Sequence, residues 1–202
     1  MQRLTGRHCG ETAWIIGKGA SLEFLTRDHI GPGPVIAINQ SIVLIESMRL
    51  GNPVYSMQKD GGVWREGKAS GRLDPFCEFS GACCDQCEGM VRPKRATLLL
   101  HEHESKFCFL DYHDRIIFDF RDFGLFGNTF SLAMAVKIAE RMGCVNIKLI
   151  ACDVHATGEQ RTFTPGVGVR AVEMYEAQIP ILKRVLWNVD HEFITPVGEV
   201  AA

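Results

Sequence analysis

Apolar residues fall along the chain in short blocks of two kinds, and their alternation predicts the architecture. Trp14-Ile15-Ile16, Val35-Ile36-Ala37-Ile38 and Val54-Tyr55-Ser56-Met57 are compact runs that stop at Gly17, at Asn39 and near Asp60. Apolar runs of this length, bounded by turn residues, read as buried strands. Between them, residues 22–30 and 41–50 are amphipathic and read as helices. A β-α-β-α-β succession implies parallel strands, because parallel neighbours need a crossover long enough to hold a helix.

The second half continues the pattern. Residues 96–100 and 116–120 read as strands. Residues 130–142 put Lys137, Glu140 and Arg141 on one stripe and apolar residues nearly everywhere else, as expected of a helix sunk into a core. Residues 146–151 follow as a central strand ending at Cys152-Asp153. The last helix carries Val172, Tyr175, Ile179, Leu182 and Leu186 at three- and four-residue spacings, with a kink expected at Pro180, and residues 192–194 close the chain as a strand. The predicted fold is α/β and Rossmann-like, a mostly parallel sheet with helices on both faces. Residues 1–202 are read as one such domain, and about 60–95, rich in Gly, Cys and charge, as a Cys-rich insertion or lid.

Composition narrows the function. With 46% hydrophobic residues over 202 positions, the chain can bury one sizeable core. Lys and Arg number 22 against 24 Asp and Glu, a balance that points to small-molecule chemistry and away from nucleic acid. The opening MQRLTGRHCGE lacks the apolar centre of a signal peptide, and no later run approaches a membrane span, so a cytoplasmic protein is expected. Nothing in the sequence speaks to oligomeric state.

The ends of the predicted strands carry the candidate chemistry. In open α/β sheets, ligands lie outside the carboxyl ends of the strands. Those ends hold Gly17, Gly19 and Ser21, then Asn39, Asp60 and Asp153. A strand turning through Gly-x-Gly into a helix would offer backbone N–H groups to an anion. Gly17-Lys18-Gly19-Ala20-Ser21 lacks the spacing of a Walker A loop. It also lacks a dinucleotide signature, since Leu22 stands where a third Gly belongs and Asn39 where an acid would hold the ribose. A second cluster of small polar groups opens the helix at 130: Gly127-Asn128-Thr129-Phe130-Ser131. Ser21, Asn128 and Thr129 fit equally as helix caps, which use the same geometry.

Three stretches, "IIGKGASLEFL", "VIAINQSI" and "GNTFSLAMAVKIAERMGCVNIKLIACDVH", occur in this order. The pattern resembles that of bacterial CMP-sialic acid-dependent sialyltransferases and of the 6-hydroxymethylpterin diphosphokinase-like family, including phage-encoded relatives, over residues 13–60 and 123–195. The resemblance implies a nucleotide or nucleotide-sugar substrate and a glycosyl or diphosphoryl transfer. By its terms Gly17, Gly19 and Ser21 hold phosphates, Asn39 contacts phosphate or ribose, Asn128, Thr129 and Ser131 contact the nucleotide, and Asp153 borders the reacting centre. In such sialyltransferases a histidine serves as general base shortly before a Tyr; here that stretch has Arg170 ahead of Tyr175 and no histidine. His155 is then the candidate base, and Arg170 a candidate clamp on a diphosphate. The missing histidine also leaves room for a non-catalytic nucleotide-binding or sequestering protein. No Asp-x-Asp pair occurs in the sequence, so transfer without a metal ion is expected.

Half of the eight cysteines fall between positions 77 and 87. Cys77, Cys83, Cys84 and Cys87, with His101 and His103 beyond them, could form a structural zinc site. Free thiols and local disulfides are the alternatives.

Overall fold

The computed structural model describes residues 2–39, 41–58, 95–102, 114–125, 130–153 and 172–197. Seven strands are found among them: β1 (Thr12–Ile16), β2 (Val35–Ile38), β3 (Val54–Gln58), β4 (Thr97–His101), β5 (Arg115–Phe118), β6 (Asn146–Ile150) and β7 (Asp190–Ile194). Three α-helices accompany them: α1 (Ser41–Met48), α2 (Ser131–Arg141) and α3 (Val172–Leu186). The strands form one sheet in the order β5-β4-β3-β2-β1-β6-β7, and every pairing is parallel. The α/β, Rossmann-like expectation therefore holds. The Cys-rich insertion lies outside the described residues.

Strand alternation builds a core on each face. Ala13 and Ile15 of β1 join Ile36, Ile147 and Leu149 beneath α2 and α3, whereas Ile16 joins Val35, Ala37 and Ile150 beneath α1. Period-two alternation thus sends neighbouring apolar residues into different layers, which is why the strands read as continuous hydrophobic runs. In α2, Leu132 through Val136, Ile138 and Ala139 are all buried. The three alanines among them bring the helix backbone close to β1 and β2, and its charged stripe survives as a Lys137–Glu140 ion pair at 2.7 Å.

One local expectation is corrected. Residues 22–30 form no α-helix; they make two short 3-10 turns, Ala20–Phe24 and Arg27–His29. Leu22 and Leu25 are three apart, so a 3-10 turn buries both, and the chain becomes extended at Leu25. Thr26 then restarts the chain, its N–H donating to His29 Nδ1 at 3.1 Å. Pro180 lies inside α3, which runs continuously from Val172 to Leu186. Pro180 is exposed, so water can take up the carbonyl that loses its helical partner.

The topology sets the site. From β1 the chain steps outward through β2 to β5, then returns to the other flank of β1 for β6 and β7. The direction of winding reverses between β1 and β6, and a ligand crevice is expected there, at the carboxyl ends.

The amino edge of β1 is held by a close backbone approach. Gly33 has φ +115°, and a Cβ there would lie 2.1 Å from the Thr12 carbonyl oxygen. Gly33→Ala is therefore expected to destabilise the fold by about 3 kcal/mol, from overpacking and backbone strain together. Urea denaturation of the variant checks this.

Candidate functional site

At the carboxyl edge, the turn after β1 is stitched to the end of β6. The Gly17 N–H donates to the Ile150 carbonyl at 2.8 Å and the Gly19 N–H to the Ala151 carbonyl at 2.9 Å. Ala151 holds a left-handed conformation, φ 52°, unusual for a residue with a Cβ. Two residues on, Asp153 accepts from the Ser21 N–H at 2.7 Å through Oδ2 and from the Ser21 hydroxyl at 2.5 Å through Oδ1. Asp153 is 2% exposed and Ser21 7%, so each meets the other's buried polar groups.

The glycines are explained by this stitching. A Cβ on Gly17 would lie 2.4 Å from the Ala151 carbonyl oxygen, and one on Gly19 would lie 2.4 Å from Asp153 Oδ2. Both positions need hydrogen for the β1 turn to meet the β6 end. The N–H groups of Gly17, Gly19 and Ser21, read from the sequence as an anion cradle, donate within the protein. No α-helix starts at this turn, so the helix N-terminus expected there is replaced by a 3-10 turn.

The other strand ends bring further groups to this edge. Asn39 follows β2 with φ 51°, is buried, and donates its N–H to the Met57 carbonyl at 3.0 Å. Asparagine is among the few non-glycine residues that accept this conformation readily. Behind it, the buried Ser41 hydroxyl lies 3.0 Å from the Ile38 carbonyl and 3.1 Å from the Ile16 carbonyl, tying the ends of β1 and β2 to the start of α1. Ser131 opens α2. That helix ends at the amino edge, where the Met142 and Gly143 carbonyls accept from the His8 and Gly10 amides, so its first turn lies toward the carboxyl edge. Phe130 caps it without a side-chain hydrogen bond, and no acidic residue stands in its first turn. Lys18, half-buried between the two glycines, adds a cation to the turn after β1.

The structure thus gathers Gly17, Gly19, Ser21, Asn39 and Asp153 at the strand ends, with Ser131 on the helix directed to the same edge. Asn128, Thr129, His155 and Arg170 lie outside the described residues, as do Cys77, Cys83, Cys84, Cys87 and His103. His101 is buried at the end of β4, stacked on Phe120 with ring centroids 4.0 Å apart and edge-on to Phe118. Among the described residues, no group of three or more His, Cys, Asp or Glu side chains could hold a metal ion. Nor is any helix among them long and apolar enough to cross a membrane. Sequence reasoning missed Ser41, whose hydroxyl braces two strand ends; a serine opening a helix signals only a cap.

The architecture matches a known one. The sialyltransferase CstII from Campylobacter jejuni, solved in complex with a substrate analogue, cytidine-5'-monophosphate, superposes with a TM-score of 0.50. The match covers 96% of this chain and 83% of that one, at 13% sequence identity. The fold is shared with a sialyltransferase. No family model matches the sequence, and no curated protein does.

Two measurements test the stitching. Asp153→Ala leaves both Ser21 donors buried without their acceptor, so it is expected to cost about 3 kcal/mol, against about 1 kcal/mol for Ser21→Ala. A double-mutant cycle by urea denaturation should return a coupling near the smaller value.

The thiols give a pH signature. Burial pushes Cys152 up to about 12, with the Asp153 charge adding to it, and burial pushes Cys144 up to about 11, from an ordinary value of 9.0. Below about pH 9 these thiols are protonated whether folded or unfolded; above it the unfolded chain ionises first, so stability falls as pH rises. Cys152→Ala should flatten that fall between pH 9 and 11, by up to about 1.4 kcal/mol per pH unit, in denaturant titrations across the range.

Proposed function

We propose that this protein is a nucleotide- or nucleotide-sugar-dependent group transferase of the glycosyltransferase kind, acting without a metal ion. The observation that carries the reading is the pairing of the Gly17–Ser21 turn with Asp153 at the reversal of strand order between β1 and β6, with Asn39 at the end of the neighbouring β2. Ligands of open α/β sheets bind at such a reversal. The fold likeness to a sialyltransferase supports glycosyl transfer over diphosphoryl transfer.

In this reading Gly17, Gly19 and Ser21 shape the turn that borders the phosphate, with Lys18 supplying positive charge beside it. Asn39 contacts ribose or phosphate, Ser131 approaches the nucleotide from the first turn of α2, and Asn128 and Thr129 contact it as well. The acceptor hydroxyl attacks the sugar's anomeric carbon as the bond to the phosphate oxygen breaks. His155 takes the hydroxyl proton, and Arg170 stabilises the departing phosphate. Asp153 acts by holding Ser21, and through it the turn, in place; it is a positioning residue.

Two observations favour a second reading, a nucleotide-binding protein that performs no transfer. Both carboxyl oxygens of Asp153 accept from Ser21, and the histidine of the sialyltransferase pattern is replaced at Arg170. Release of free CMP from CMP-sialic acid in the presence of a saccharide acceptor separates the two readings, since only the transferase shows turnover that His155→Ala abolishes.

Binding itself is tested by calorimetry with CMP, UMP, GMP and AMP. Asn39→Gly keeps the left-handed backbone and removes the side-chain amide. It is expected to weaken the preferred nucleotide by about 10- to 100-fold, the worth of a hydrogen bond to a polar or charged group, with thermal stability nearly unchanged. Equal affinity in this variant would remove Asn39 from the site.

A further inference from the structure

On the flank of the sheet at β7, α3 carries an unusual outer face. Trp187 is 83% exposed and Ile179 42% exposed, although large apolar side chains are ordinarily covered. At 100° per residue, Glu176, Ile179 and Lys183 fall on a single stripe of the helix, Trp187 follows in the turn just beyond Leu186, and all four are exposed. Beside the stripe, between α3 and the edge strand β7, runs a groove of about 420 Å³ whose walls include Leu182, Leu186 and Phe193. Its lining is almost wholly apolar, with Lys183 and His191 supplying the charge-bearing groups.

The order of charges along the stripe identifies an occupant. Glu176 and Lys183 are two helical turns apart, with Ile179 between them. When two such helices lie antiparallel about a two-fold axis near Ile179, Glu176 of each copy faces Lys183 of the other, and Ile179 meets its own counterpart at the centre. The stripe is complementary to itself, which is the requirement of an isologous interface. A parallel pairing would instead set Glu176 against Glu176 and Lys183 against Lys183. The edge strand does not offer the same solution, because Asp190, His191 and Glu192 line it with exposed charge of the kind that discourages strand addition.

We propose that this face of α3 is the interface of a symmetric homodimer, with the second copy's α3 lying antiparallel in the groove. The interface is built on α3 and the edge strand β7 and uses none of the residues assigned to the nucleotide, so the inference stands independently of the nucleotide reading. Each copy covers the other's Ile179 and groove wall, and two Glu176–Lys183 pairs fix the antiparallel direction.

Sedimentation equilibrium of the full chain tests this. The wild-type chain is expected to be dimeric at about 100 µM, a concentration well above the Kd of an ordinary specific interface. Lys183→Glu and Glu176→Lys each turn both cross-pairs repulsive and should weaken the dimer by about tenfold or more. The double variant, and equally a one-to-one mixture of the two single variants, restores opposite charges across the axis and should recover association. Trp187→Ser should also weaken the dimer while leaving the circular dichroism spectrum unchanged, since the side chain is exposed. A monomeric wild-type chain at that concentration overturns the proposal, as does a double variant that associates no better than the singles.

Discussion

The contact between Ser21 and Asp153 joins residues 132 positions apart, and much of the carboxyl edge is organised around it. Asp153 lies just beyond β6, so its grip on Ser21 holds the turn after β1 against the turn after β6. The Gly17 and Gly19 amides run the same seam through Ile150 and Ala151. A buried carboxyl group is tolerable only where donors meet it, and Ser21 supplies two. The consequence is geometric: the reversal of strand order becomes a braced corner, and groups around it, Asn39 and Lys18 among them, are presented from a fixed frame.

The braced corner depends in turn on a sheet covered on both faces. Because β1 sends Ile15 toward α2 and α3 and Ile16 toward α1, it is packed from above and below as well as paired on both sides. Ser41 adds a polar tie from α1 to the carbonyls that end β1 and β2. Displacing any one of these strands would move the others, which is what a rigid support for a binding edge requires.

Strands were the most legible part of the sequence. A run such as Val35 to Ile38, apolar at every position and stopped by Asn39, has little alternative to a strand covered twice. The stretch from Leu22 to Ile30 was harder, because apolar residues three apart satisfy a 3-10 turn as well as an α-helix, and the choice was made by packing against Ile16 and its neighbours. The strand-end residues were legible as a set, since the carboxyl ends of parallel strands converge whatever their sequence separation. Their partners were not. Nothing near Gly19 announces that its missing Cβ makes room for Asp153, and nothing near Asp153 announces that its acceptors belong to Ser21. Such pairings are properties of the folded chain, and they give the glycines a part in the seam between the β1 turn and the β6 end.

The placement of β1 between β2 and β6 has a consequence for the birth of the chain. Strands β1 to β5 are all synthesised before residue 146, so a ribosome carrying the first half holds a sheet whose inner strand still shows one bare flank. That flank is Thr12 to Ile16, whose unpaired backbone invites addition by a stranger. Pairing across so long a stretch of sequence comes late and slowly. Until β6 emerges, the nascent protein is a half-finished sheet open at its centre, and its safe passage depends on how fast translation delivers the strand that closes it.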